Sequence, residues 1–147
     1  MSEFTTLEFP VDLPAVRKGE HWYARAGDRE LRLSNLDKLY WPEEGYTKGD
    51  LLTYYFNVSP TMLPHLIDRP LTLKRMPNGV NSDFFYEKNA PKHTPVWMTT
   101  VPVSAENGSK VINFLTVCDP ADMLYVANLG CIEFHPLHTR SGDQKHP

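Results

Sequence analysis

The sequence predicts an α+β fold: short mixed or antiparallel sheet with hairpins, and two principal helices. Three observations carry this. Apolar residues recur at helical spacing after Thr47 and again after Asp119. Elsewhere, short β-rich runs alternate with turn clusters such as Ala26-Gly27-Asp28 and Pro77-Asn78-Gly79. The 13 prolines in 147 residues interrupt the chain too often for an all-helical protein.

Residues 1–20 read as an N-terminal arm whose Phe9, Val11 and Leu13 are available to dock on a neighbour. Residues 21–25 (HWYAR) alternate, Ala26-Gly27-Asp28 turns the chain, and residues 30–33 return it, which makes a hairpin. Ser34-Asn35 opens a polar loop carrying Asp37 and Lys38. Tyr40-Trp41-Pro42 is an aromatic anchor before the acidic turn Glu43-Glu44-Gly45. Thr47 is a good N-cap, and Asp50 completes a start resembling a capping box. Leu51, Leu52, Tyr55, Val58, Met62, Leu63 and Leu66 then mark the clearest amphipathic helix, which Pro60 and Pro64 are expected to kink or split.

Asp68-Arg69-Pro70 ends that helix and leads into residues 71–88 (LTLKRMPNGVNSDFFYEK), read as two strands joined at Pro77-Asn78-Gly79. Residues 89–95 form a polar loop, and residues 99–103 and 110–117 read as strands around Glu106-Asn107-Gly108. Asp119-Pro120-Ala121-Asp122 is a second helix start, with Pro at the first helical position, and Gly130 is its stop. A short strand over residues 131–134 ends at His135-Pro136. Residues 21–140 thus form one module, followed by a polar tail over residues 141–147.

A formal charge of −3 and a pI near 6.0 argue against a broad basic surface, so any nucleic-acid contact must be local. Cys118 and Cys131 make no CxxC motif, which suits reduced, buried thiols in a cytosolic protein. No run is apolar enough for a membrane helix and the N-terminus has no signal-peptide pattern, so the expected location is cytoplasmic.

Two places carry candidate chemistry. In the ribbon of residues 71–88, neighbouring side chains point to opposite faces, so one of Lys74 and Arg75, and one of Phe84 and Phe85, is expected to face the core. Paired strands would set a cation beside a ring, the combination that binds single-stranded nucleic acid. The plain alternative is surface cations over a core Phe pair. The second place joins Asn35, Lys38 and Lys48, with Lys48 in the first turn of the best helix, where unpaired N–H groups and the dipole favour an anion. Its alternative is two solvated lysines. His135 and His138 are too loosely spaced to declare a metal site, and Glu133 shares a strand face with His135. Asp119 and Asp122 read as capping residues. No Ser/His/Asp arrangement, P-loop or GxGxxG pattern is present.

Several stretches together resemble the polymerase domain of bacterial DNA ligase D, a member of the archaeo-eukaryotic primase superfamily. They are LRLSNLDKLYWPEEGYTKGDLLTYY, HLIDRPLTLKRMPNGV, FFYEKNAP and ANLGCIEFHP, in order over residues 31–136. The resemblance implies the N-terminal module of a primase-polymerase fold, acting in non-homologous end joining in a bacterial or archaeal cytosol. It implies that Asn35, Lys38 and Lys48 grip a 5′-phosphate, that Phe84 and Phe85 stack on the template, and that Lys74, Arg75 and His135 lie toward nucleotide and template.

The family's metal-binding D-x-D aspartates follow the HP strand end, and no D-x-D pattern occurs within these 147 residues. The expectation is therefore an end-binding half with no catalytic residue, metal or cofactor of its own. Manganese or magnesium and a nucleoside triphosphate would belong to the complete domain. Expected partners are DNA ends with a 5′-phosphate, and beyond them Ku, a ligase or a second polymerase fragment, with no membrane. The alternatives are a non-catalytic module for DNA ends or proteins, and a metal-dependent hydrolase using His135 and His138.

Overall fold

A computed structural model describes Leu13 and residues 15–104 and 110–137. The elements run β1 (Ala15–Lys18), β2 (His21–Ala26), β3 (Arg29–Leu33), β4 (Leu39–Trp41), β5 (Tyr46–Thr47), α1 (Lys48–Leu66), β6 (Leu71–Arg75), β7 (Phe85–Glu87), β8 (Thr100–Ser104), β9 (Val111–Leu115), α2 (Pro120–Asn128) and β10 (Cys131–Pro136). The fold is α+β. Three antiparallel sheets form: β1-β2-β3, β4-β5, and a larger sheet ordered β10-β6-β9-β8 with β7 also paired to β6. The last part of the N-terminal arm is β1, which extends the expected hairpin to three strands. Phe9 and Val11 lie outside the described residues, while Leu13 packs half-buried against the core.

Helix α1 begins as its sequence dictates. The Asp50 N–H donates to Thr47 Oγ1 at 3.2 Å and the Thr47 N–H donates to Asp50 Oδ2 at 2.8 Å. The prolines do not split it, for α1 is a single helix through both. Pro60 has no N–H for the Phe56 carbonyl, and the Ser59 hydroxyl donates to that carbonyl instead, at 2.9 Å.

Helix α2 is buried from Ala121 to Ala127, and the packing explains why. It contacts α1, β2, β3 and β10. Met123, Leu124, Val126 and Ala127 are fully buried, with Leu71, Leu73, Leu115 and Cys131 of the large sheet and Val117 of the segment after β9 in the same core. Asp119 caps α2, accepting from the Asp122 N–H at 2.9 Å. The Asp122 carboxylate in turn accepts from the Cys118 N–H at 2.9 Å. Arg29 of β3 pairs with Asp119, reaches Asp122 at 3.5 Å, and lays its guanidinium 4.9 Å from the Trp97 ring centroid. Burial pushes the Asp122 carboxyl up to about 6. Cys131 is buried as expected; Cys118 is exposed, because it lies just before the α2 cap rather than beneath it.

The turn after β6 is seated on Tyr40, which is 1 % exposed. The Gly79 N–H donates to the Met76 carbonyl at 3.0 Å, Val80 to Tyr40 at 2.9 Å and Met76 to Gly130 at 2.7 Å. These bonds fix the end of the β6-β7 ribbon against the loop before α1.

Candidate nucleic-acid interface

Strand register builds the ribbon. Lys74 opposes Tyr86 and Arg75 opposes Phe85 across β6 and β7. The Lys74 ammonium lies 4.3 Å from the Phe84 centroid and the Arg75 guanidinium 5.0 Å from the Phe85 centroid. The expected juxtaposition of cation and ring is therefore present twice, once on each face. The expectation that one ring of the pair is core is overturned: Phe84 is 46 % exposed and Phe85 44 %. The core under β6 closes at Leu71 and Leu73, and β7 is a three-residue edge strand opposite the later part of β6. Lys74 and Arg75 are likewise both half-buried, on opposite faces.

One face carries Lys74, Phe84, Tyr86, Glu133 and His135. Tyr86 meets Phe84 edge-on at 5.7 Å and His135 at 5.9 Å. Glu133 Oε2 lies 3.3 Å from Lys74 Nζ, and Glu133 Oε1 lies 3.2 Å from His135 Nε2. The hydrogen bond from Lys74, with His135 alongside, holds the Glu133 carboxyl below its ordinary value. Glu133 thus orients His135, as its place on the strand suggested. Tyr86, 56 % exposed, is the member that sequence reasoning passed over. Its signal was its spacing of two from Phe84, which puts both on one face.

Because all three rings stand open, alanine at Phe84, Phe85 or Tyr86 should leave the melting temperature nearly unchanged. Loss of any ring that stacks on a base should weaken binding to single-stranded overhangs by about 1–3 kcal/mol. Melting curves and overhang titrations on the three variants check this; a large drop in melting temperature with intact binding would show rings that serve packing.

The second cluster forms where residues 34–38 wrap the start of α1. Asn35 takes a left-handed φ of 55°, which asparagine tolerates, and its carbonyl accepts from Lys38 N–H at 3.0 Å. The Lys48 N–H donates to the Lys38 carbonyl and the Gly49 N–H to the Leu36 carbonyl, both at 2.8 Å. With Asp50 N–H on Thr47, the first-turn donors expected to face an anion are already bonded within the chain. Any anion here must be held by side chains.

Those side chains are suited to it. Lys48 is 3 % exposed, and its ammonium donates to Ser34 Oγ at 3.2 Å. No carboxylate pairs with it among the described residues. Burial, then the charges of Lys38 and Arg75, bring the Lys48 ammonium down to about 8. Lys38 donates to Asn78 on the turn of the ribbon. Arg75 is held by the Leu129 carbonyl at 2.8 Å and by Glu87 at 3.1 Å. The fold thus draws Lys38, Lys48 and Arg75 into one cationic cluster beside exposed Asn35. Arg75 links it to the Phe85 face of the ribbon.

His138 lies outside the described residues. Among the described residues no group of three or more His, Cys, Asp or Glu side chains is placed to hold a metal. No helix among them is long and apolar enough to cross a membrane.

The family model described as the LigD primase-polymerase domain matches residues 47–147. The chain belongs to the LigD primase-polymerase family. Its relatives include the multifunctional non-homologous end joining protein LigD of Mycolicibacterium smegmatis, 32 % identical over 78 % of this chain and 15 % of that protein. The bifunctional non-homologous end joining protein LigD of Bacillus subtilis is also 32 % identical, over 75 % of this chain and 17 % of that protein. The solved polymerase domain of Mycobacterium tuberculosis ligase D in complex with DNA superposes with a TM-score of 0.71 at 32 % identity, covering 75 % of this chain and 38 % of that one. The chain therefore spans about a sixth of these curated LigD proteins and well under half of the solved LigD domain.

Proposed function

We propose that this LigD primase-polymerase segment holds DNA ends for non-homologous end joining and discriminates a 5′-phosphate from a 5′-hydroxyl. The observation that carries it is Lys48, a buried ammonium whose neighbours are a hydroxyl and two further cations. A buried charge without a counter-charge is costly unless a ligand provides one. A phosphate monoester brings more charge than a diester, so Lys38, Lys48 and Arg75 would prefer a strand end to the continuous backbone. Asn35 would add an amide at the rim. The ribbon, with Lys74, Phe84, Phe85 and Tyr86, would take the neighbouring unpaired template, and His135 would face the nucleotide of the complete domain. The solved relative's complex with DNA supports this reading.

The test is a titration of recessed duplexes that differ only in the terminal phosphate. The phosphorylated end should bind about tenfold or more tightly, and the preference should shrink with salt. Equal affinities would remove the site. Given ribonucleotides and manganese, the same mixtures should show no extension, because two-metal chemistry needs carboxylates that no D-x-D pattern in these 147 residues supplies.

A further inference from the structure

We propose that the outer face of the β1-β2-β3 sheet is a second DNA contact, which holds the phosphodiester backbone of the duplex behind the bound end. It rests on the reading that the chain holds DNA, but not on the phosphate cluster. Ala24, Leu31 and Leu33 are buried, so strand alternation sends His21, Tyr23, Arg25, Glu30 and Arg32 outward. On β1, Val16 opposes Tyr23 and Lys18 opposes His21, which puts both on the same outer face.

Lys18, Arg25 and Arg32 are exposed, and none of them has a carboxylate within ion-pair distance among the described residues. Glu30, opposite Arg25 in the register, is the acidic residue on the face; Glu20 and Asp28 lie in the turns at its ends. Counting the outward strand residues alone, the face holds three cations to one carboxylate, a local reversal of sign in a chain of formal charge −3. Such a face is complementary to a polyanion.

Tyr23 narrows the choice of polyanion. The Lys18 ammonium covers its ring, 5.5 Å from the centroid, and His21 stands edge-on at 6.5 Å. Tyr23 is thus engaged by its own neighbours and half-buried, so the surface suits backbone contact without base readout, as on a duplex, better than the stacking that binds single strands. Its position fits the same occupant. β3 ends at Leu33, and the next residue, Ser34, accepts from Lys48. The face therefore begins beside the end-binding cluster and extends along β2 for about 20 Å, or about six base pairs.

The experiment titrates a long recessed duplex, with either 5′-phosphate or 5′-hydroxyl, against the unmodified chain, K18A/R25A/R32A and E30K, over a range of salt. The triple variant should weaken both duplexes by about tenfold or more and flatten the log-log salt slope by roughly 1–3, at 0.9 per lost phosphate contact. The ratio between the two ends should not change. Glu30→Lys should tighten both duplexes and steepen the slope, a gain that misfolding cannot imitate. Affinity and slope unchanged in both variants would overturn the proposal. So would a larger loss on oligo-dT than on duplex, because it would make the occupant a single strand. If the unmodified chain shows no preference for phosphate while the variants still change the slope, the end-binding reading fails and this surface stands.

Discussion

Lys48→Met should make the protein more stable and at the same time blind to the 5′-phosphate. The ammonium of Lys48 is buried and falls from 10.5 to about 8. A displacement of that size corresponds to about 3 kcal/mol of stability withheld from the folded state while the unfolded chain keeps its proton. The sign follows from which state holds the proton. Below pH 8 both states are protonated and the penalty is full. Between pH 8 and 10.5 the folded state has released its proton and the unfolded state has not, so stability climbs with pH. Methionine keeps the length and apolar stem without the charge. The variant should therefore be more stable at pH 7, by up to about 3 kcal/mol less the bond to Ser34, and should lack the climb above pH 8. Binding should move the other way. A charge-assisted contact of about 1.5–3 kcal/mol corresponds to about 10- to 150-fold, which the variant should lose on phosphorylated ends only. The unmodified chain should itself lose preference as pH rises past 8, because the neutral amine no longer attracts the phosphate. Chemical denaturation and paired-end titrations across pH 6.5–10 measure both. A variant that is less stable and keeps the preference would mean that Lys48 is packing and nothing more.

The contrast between what the sequence showed and what it hid follows sequence distance. The capping box of Thr47 and Asp50 was legible because three residues settle it. The ribbon was legible because a Pro-Asn-Gly turn between two β-rich runs leaves few pairings. The exposure of Phe84 and Phe85 was not, because alternation tells which face a ring takes but not where the core beneath the strand ends. The clamp of Arg29 on Asp119 was also hidden; its partners are 90 positions apart, and no local pattern joins them. The occupied helix start is the most instructive case. The sequence announces free N–H groups at Lys48 and Gly49, and the loop that would bring in Lys38 spends its carbonyls on them. The same loop that completes the cationic cluster thus removes the helix from it, leaving the side chains of Lys38, Lys48 and Arg75 as the donors open to an anion.

Gly130→Ala should be among the most damaging single methyl additions in this chain, and the damage should reach the cationic cluster. Gly130 has φ +85°, a region that costs an L-residue strain. A Cβ there would lie 3.0 Å from Pro77 Cα, 3.2 Å from Pro77 N and 3.1 Å from the Tyr40 hydroxyl. Backbone atoms of a proline cannot swing aside, and Tyr40 is buried, so the turn must shift as a unit. Strain of about 1–3 kcal/mol and overpacking of about 1–3 kcal/mol give an expected loss of about 2–6 kcal/mol. Gly27→Ala is the control: φ is +63°, but nothing lies within 4 Å of its Cβ, so strain alone remains. The gap in stability between the two variants isolates the clash. Asn78, the partner of Lys38, follows Pro77 on that turn, and Met76 donates to the Gly130 carbonyl. Displacing the turn therefore releases Lys38, and the preference for a 5′-phosphate should fall in Gly130→Ala and persist in Gly27→Ala. Urea denaturation and paired-end titrations of both variants decide the matter: equal stability losses would leave the contact of Gly130 with Pro77 and Tyr40 without consequence, and an undiminished preference in Gly130→Ala would uncouple the ribbon turn from the cluster.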